Sequence, residues 1–344
     1  MRSKISTVTV LSIFLLSASS FAFNWSDYKK VFLSKDGRII DFRQEKISHS
    51  EGQAYGMLLA VANGDKTSFD SIWKWTKDNL QLRKGDKLFC WSWGRHPNGK
   101  WQVLDYNNAS DGDILIAWAL YLAWKKWADL RYYEECRNVI KSIRQELGIE
   151  KNGGILLLPG YYGFLKDDQI VINPSYILLE PFNAFQEIDL SEFWNEVKIS
   201  SLALLKKIVS DTWSLPPDWV VIKDDGTVEP YKKHLRFGYD AWRVFLYDSW
   251  SKTLIFRQAF KNLVSFFKKN GYLPEYVDIK MGCVSLKPGS AGDYASLAAY
   301  AEVNGCHKIA RQLMKKADEK ILYEKKDYFS ASLYLLAKTM TFKP

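Results

Sequence analysis

Three times in this chain a serine is followed three residues later by an acid, just where apolar residues begin to recur at helical spacing: Ser48-His49-Ser50-Glu51, Ser110-Asp111-Gly112-Asp113 and Ser290-Ala291-Gly292-Asp293. A related start, Gly238-Tyr239-Asp240, lies between the last two. Ser-x-x-acid is a helix-start pattern, because the serine side chain and the acid can each satisfy a free backbone N–H of the first turn. Where neighbouring starts are both visible the interval is roughly 50 to 65 residues, about what two helices and their loops occupy. Such spacing predicts helical hairpins arranged in a ring. Inner helices of one direction then bring their N-termini, and the acids, to one face.

Apolar residues at three- and four-residue spacing predict helix over 57–62, 114–127, 134–145, 193–209, 241–269, 295–301 and 330–338. Strand signals are sparse, with short extended pieces expected at 154–159 and 282–288. No low-complexity or Pro/Gly/Ser-rich stretch divides the 344 residues, so a single domain is expected over 23–344. Residues 1–22 read as a signal peptide. Arg2 and Lys4 give a basic start, Val8 to Leu16 a mostly apolar run, and Ser-Phe-Ala a small-residue end. That run is too short to span a bilayer. A periplasmic or secreted protein, with no membrane contact after leader removal, is expected.

The net charge of +9 comes from Lys and Arg residues that are scattered and often neighbour acids, as in Lys166-Asp167-Asp168. Without a dense basic block a nucleic-acid partner is not expected. Cys90, Cys136, Cys283 and Cys306 have no metal-binding spacing; Cys283 and Cys306 are the nearer pair if a bridge forms, and free thiols are expected at least as much. His49, His96, His234 and His307 are scattered, so no metal site is expected.

Read locally, each acid has a structural explanation. Glu51 can be the third-turn-position acid of a capping box begun by Ser48. Asp113 can cap its helix, and Asp111 can bind water or calcium. Asp240 and Arg243, three residues apart, can pair on one helix face. Other features point to chemistry. Gly52 and Gly56 are poor helix formers beside Glu51 and require a reason, such as close approach of substrate or backbone. Tyr55 shares the face of Glu51, and Trp91 sits in the polar, glycine-flanked loop Cys90-Trp91-Ser92-Trp93-Gly94. A carboxyl group at a helix N-terminus is driven toward its charged form. To act as an acid, Glu51 therefore needs burial or a nearby like charge.

Ser50-Glu51-Gly52-Gln53-x-Tyr55-Gly56-Met57, Ala109-Ser110-Asp111-Gly112-Asp113, Asn173-Pro174-Ser175-Tyr176 and Tyr239-Asp240-Ala241-x-Arg243-Val244 occur in this order. Together they resemble glycoside hydrolase family 8, the former cellulase family D. Within it, leader and size look most like periplasmic endo-β-1,4-glucanases associated with bacterial cellulose synthesis. The resemblance implies an all-α fold, an (α/α)6 barrel with a cleft at the N-terminal ends of its inner helices. It implies an inverting, endo-acting hydrolase of β-1,4-glucan that uses no cofactor and works as a monomer, linked to a cellulose-synthase complex. Glu51 matches the general acid and Asp240 the general base. Asp111, Trp91, Tyr176, Tyr239, Arg243 and Tyr328 match substrate-binding positions. Ala54, Phe245 and Phe329 depart from the usual family pattern, and none of them removes a carboxylate.

In that mechanism two carboxyl groups stand roughly 6.5–9.5 Å apart to admit a water molecule. Asp111 is expected to help keep Glu51 protonated by its like charge. The alternatives are a chitosanase, xylanase or lichenase built on the same machinery, a non-catalytic glycan-binding component of an export machine, and a polysaccharide lyase on a similar helical toroid.

Overall fold

The computed structural model describes residues 23–166, 168–209, 212–231, 235–324 and 326–341. The expected leader, 1–22, lies outside the described residues, as does His234. Among the described residues there are twelve α-helices: α1 (Trp25–Phe32), α2 (Ser50–Ala62), α3 (Lys66–Leu80), α4 (Ser110–Trp127), α5 (Leu130–Leu147), α6 (Leu179–Gln186), α7 (Phe193–Lys207), α8 (Arg243–Ser251), α9 (Arg257–Asn270), α10 (Ala291–Val303), α11 (His307–Ile321) and α12 (Tyr328–Met340).

Their burial sorts them into two layers. α2 buries eleven of its thirteen residues, and α4, α8, α10 and α12 are likewise buried on nearly every side. A helix buried all round must lie inside a core. α11, by contrast, buries only Ala310, Leu313, Ala317 and Ile321, a single stripe at three- and four-residue spacing. α2, α4, α6, α8, α10 and α12 each pack on the next, and α12 packs on α2, closing a ring. α3, α5, α7 and α11 each lie outside the inner helix that precedes them. Phe260 of α9 packs on Tyr300 of α10. The sixth pair joins the two ends of the chain: Tyr28 of α1 shares a 2.9 Å hydrogen bond with Ser332 of α12. This is the (α/α)6 barrel.

Short turns connect inner to outer helices, as at Gly64 (φ +69°) between α2 and α3, so paired helices run antiparallel. All inner helices then share one direction, and their N-termini share one face. Eleven short strands occupy the loops among the described residues: β1 (Ser48–His49), β2 (Cys90–Arg95), β3 (Trp101–Asn108), β4 (Gly148–Lys151), β5 (Gly154–Leu157), β6 (Leu165–Lys166), β7 (Gln169–Ile172), β8 (Val220–Lys223), β9 (Val228–Pro230), β10 (Arg236–Phe237) and β11 (Val277–Asp278). They form antiparallel sheets in the orders β1-β2-β3, β4-β5, β6-β7-β8-β9 and β10-β11. β1 and β3 lead almost directly into α2 and α4, so these loops anchor the starts of inner helices.

Two expectations are corrected, and the open question of the cysteines is answered. The stretch 241–269 is two helices, because Lys252 and Leu254 take positive φ and the Asp248 side chain binds Thr253 and the Phe256 N–H in the break. The strand at 154–159 forms as β5, but 282–288 makes only isolated bridges, Val277 to Val284 and Pro274 to Pro288. Cys283 and Cys306 are not bridged; all four cysteines are free. No helix of the described residues is long and apolar enough to cross a membrane.

Candidate active site

The starts of α2, α4, α8 and α12 meet around one buried guanidinium. Arg243 opens α8 with its side chain 1% exposed. Its Nη1 donates to Glu51 Oε2 at 2.5 Å, Asp111 Oδ2 at 2.9 Å and the Tyr55 hydroxyl at 3.3 Å. Its Nε donates to Ser175 Oγ at 3.0 Å. The rings of Tyr176 and Phe329 lie 5.2 and 5.7 Å from the guanidinium carbon. A cation at a helix N-terminus opposes the helix dipole, and two carboxylates at the neighbouring N-termini offset that.

The expected pair between Asp240 and Arg243 does not form. Asp240 precedes α8, so the i, i+3 geometry of a helix does not apply to it. Its Oδ2 instead accepts a hydrogen bond from Asn173 Nδ2 at 3.2 Å. Asp218 holds the turn that carries it, accepting from Gly238 N at 2.9 Å and Ala241 N at 3.3 Å. Burial, helped by the charge of Asp240, pushes the Asp218 carboxyl up to about 7.

Glu51 is not a capping acid. β1 runs up to His49, which precedes α2 without a side-chain cap, and the Ser48 hydroxyl donates to the Ile39 carbonyl at 2.6 Å. Besides Arg243, Glu51 has one partner, the Tyr328 hydroxyl, 3.2 Å from Oε1. Burial raises its proton affinity; Arg243 opposes this and the charge of Asp240 adds to it. Burial is the largest influence on Glu51; the charge of Asp240 acts with it, and Glu51 and Asp111 resist each other's ionisation. Asp111 is itself pushed above the usual carboxylate range by burial, against the pull of Arg243. Asp113 is structural in another way than expected: it accepts from Phe89 N at 2.8 Å and Asn108 Nδ2 at 2.6 Å, tying the strands to α4.

Close packing explains the glycines. A Cβ on Gly112 would stand 2.3 Å from Ser50 Oγ and 3.0 Å from the Glu51 nitrogen, so α2 and α4 could not meet as they do. At Gly52 the ring of Tyr328 comes within 3.0 Å of the same position. Neighbouring side chains of Tyr328 and Ile39, rather than backbone, crowd Gly52.

Aromatic rings extend the site. Trp91 on β2 stacks on His49 at 5.8 Å, and His49 stacks on Tyr328 at 5.7 Å. Asp105 fixes the Trp91 indole at 2.8 Å and Asp41 faces His49 Nε2 at 3.2 Å. Tyr239, 56% exposed, stacks on Phe329 at 4.5 Å. Beside it opens a pocket of about 500 Å³ lined by Arg43, Asp218, Arg236, Tyr276 and Asp327. The structure thus brings together all eight residues singled out from the sequence. Four of them surround Arg243 directly or through Glu51, Asp240 joins through Asn173 and Ser175, Tyr239 through Phe329 and Trp91 through His49. Asn173, Ser175, Asp218, Asp41 and His49 had not been singled out; Asn173 and Ser175 sat in a recognised motif, whereas the others carried no local signal.

A family model described as glycosyl hydrolases family 8 matches residues 1–343. The chain belongs to that family. An endoglucanase of Escherichia coli K12 is 36% identical over 321 residues, covering 91% of this chain and 86% of that protein. Among solved structures of family 8, endo-β-1,4-glucanase CMCax from Acetobacter xylinum superposes with a TM-score of 0.80 at 31% identity, covering 92% of this chain and 96% of the other. The endo-1,4-D-glucanase of Vibrio fischeri gives 0.81 at 27% identity, covering 91% and 92%. The family 8 barrel therefore extends over nearly the whole described chain.

Proposed function

We propose that the protein is an inverting, endo-acting β-1,4-glucanase with Glu51 as general acid and Asp240 as general base. The observation that carries this reading is the contrast between the two carboxylates. Glu51 is packed against Arg243 and Tyr328 with a raised proton affinity, whereas Asp240 accepts a hydrogen bond from the Asn173 amide. Glu51 gives its proton to the departing glycosidic oxygen. Asp240 takes a proton from a water molecule as that water attacks the anomeric carbon from the opposite face. The bond to the leaving sugar breaks, Glu51 is left ionised and Asp240 protonated, and exchange with solvent resets both. Asp111 holds the sugar at the cleavage point, and Trp91, Tyr176, Tyr239, Arg243 and Tyr328 line the path of the chain.

The same reading has residues 1–22 removed on export to the periplasm or medium, and 23–344 working as one monomeric domain that trims glucan for a cellulose-synthase complex. The names of the relatives support the glucan as substrate. The test is reducing-sugar release from soluble cellulose derivatives, xylan, chitosan and mixed-linkage glucan, by the native protein and by Glu51→Gln and Asp240→Asn. The glucan is expected to be cleaved fastest, and each variant to lose most turnover while keeping its fold. Preferred cleavage of xylan or chitosan contradicts the substrate; near-normal turnover by either variant contradicts its role.

A further inference from the structure

We propose that Asn173 and Ser175 are positioning residues for the base, forming with Arg243 a one-way string of hydrogen bonds that ends on Asp240. The proposal rests on the assignment of Asp240 as general base. All three members of the string are buried, with Asn173 fully so and Ser175 and Arg243 each 1% exposed.

The direction of every bond in the string is fixed by groups that can act in only one way. The Ser175 backbone N–H can only donate, and Asn173 Oδ1 receives it at 2.9 Å. That settles the orientation of the amide, so Nδ2 is the atom facing Asp240 Oδ2. At the other end Arg243 Nε can only donate, and Ser175 Oγ receives it at 3.0 Å. The Ser175 hydroxyl hydrogen is therefore left for Asn173 Oδ1, 2.7 Å away. No member can reverse, and Asp240 meets a donor at Oδ2. A donor at that oxygen fixes the plane of the carboxylate. Meanwhile Nη1 of the same arginine grips Glu51 and Asp111. One guanidinium thus holds the acid side directly and the base side through two residues. The charge of Asp240 in turn reaches Glu51, Asp111, Asp218 and Tyr176; of the described residues with a hydrogen bond to its carboxylate, Asn173 is the one the structure supplies.

Asn173 also caps the turn Pro174–Tyr176, so the test must separate capping from positioning. Asn173→Asp does this. Aspartate is an equally good cap and keeps the acceptor for Ser175, but it sets an oxygen where the donor stood. Two carboxylates then face each other and share a proton, so Asp240 loses its neutral, fixed donor and competes for that proton with a second carboxylate. Expected is a variant that still folds cooperatively, at a lowered melting temperature, with kcat down about 100-fold and KM within about threefold. The loss should persist on an aryl cello-oligosaccharide with an activated leaving group, because leaving-group protonation is not the defect. Glu51→Gln should be largely relieved on that same substrate. Should Asn173→Asp fail to fold, Asn173→Ser keeps a cap with too short a side chain to reach Asp240, and the same losses are expected. Turnover within about threefold of native in the folded variant, or a loss that vanishes on the activated substrate, overturns the inference. If Asp240→Asn itself turns over normally, the assignment of the base is what fails.

Discussion

The Arg243 guanidinium at the start of α8 lies 2.5 Å from the Glu51 carboxylate at the start of α2, across the barrel and 192 residues away in sequence. Asp111 shares the same nitrogen at 2.9 Å. Three inner helices are thereby joined at their N-termini through one cation. The same contact thus belongs both to the site and to the joining of these three helices.

Replacing Arg243 by Met leaves two buried carboxylates without a counter-charge, which costs about 3–5 kcal/mol. The sign with pH follows from the chemistry. Protonation neutralises the orphaned carboxylates, so the loss should be smaller at acid pH than at alkaline pH. Chemical denaturation of both proteins at two pH values measures it, and a loss that grows as pH falls contradicts the account.

Asp218 should make stability fall as pH rises. Its carboxyl is pushed up to about 7 by burial, against about 3.9 in an unfolded chain. A group with a raised folded pKa favours the fold when protonated, and this contribution is lost as pH rises from near 4 through about 7. Asp218→Asn mimics the protonated form while keeping an acceptor for Gly238 N and Ala241 N. It should raise the melting temperature at pH 8 by a few degrees and change little at pH 4, as followed by circular dichroism.

Gly112→Ala should damage activity more than its size suggests. The added methyl meets Ser50 Oγ and the Glu51 nitrogen, so α2 must shift away from α4. Overpacking of this kind costs about 1–3 kcal/mol. Because the shifted segment carries Glu51, kcat should fall at least tenfold, on the order of the loss from a misplaced acid. A variant destabilised in melting experiments but with native kcat would show that the contact serves packing alone.

Trp91→Ala should act on binding. The indole is held edge-on by Asp105 and stacked on His49, leaving part of the ring for a sugar. Losing such a stacking surface is worth about 0.5–1.5 kcal/mol, so KM on long cello-oligosaccharides should rise about two- to tenfold with kcat little changed. Kinetics on short and long chains would distinguish this from a general loss of structure.

How much of this was legible in the sequence is best seen at the three serine-acid starts. At Ser290 the capping box forms as written: Asp293 N donates to Ser290 Oγ at 3.2 Å and Ser290 N to Asp293 Oδ2 at 2.7 Å. At Ser48 and Ser110 the same letters do something else. β1 pairs with β2 as far as His49, so α2 starts later than the box requires and Glu51 is released toward the cleft. Asp113 is taken by Phe89 and Asn108 from the preceding strands. Local pattern located all three inner helices and all the acids, but partners distant in sequence decided which acid is spent on a helix end. Asp240 and Arg243 teach the same lesson, since a helical i, i+3 reading fails once the helix begins at Arg243 itself. The outer helices α3 and α11 escaped the periodicity reading because each faces the core with one narrow stripe amid charged residues. The short strands escaped because two to eight residues in a loop carry little alternation.

The central claim is a single displacement by water with Glu51 as acid and Asp240 as base, and the anomeric form of the first product tests it most directly. Proton NMR of a soluble cello-oligosaccharide, recorded within the first turnovers and before mutarotation, should show the α-anomer growing at the new reducing end. Growth of the β-anomer would mean two displacements through a covalent intermediate, and would contradict the roles given to Glu51 and Asp240.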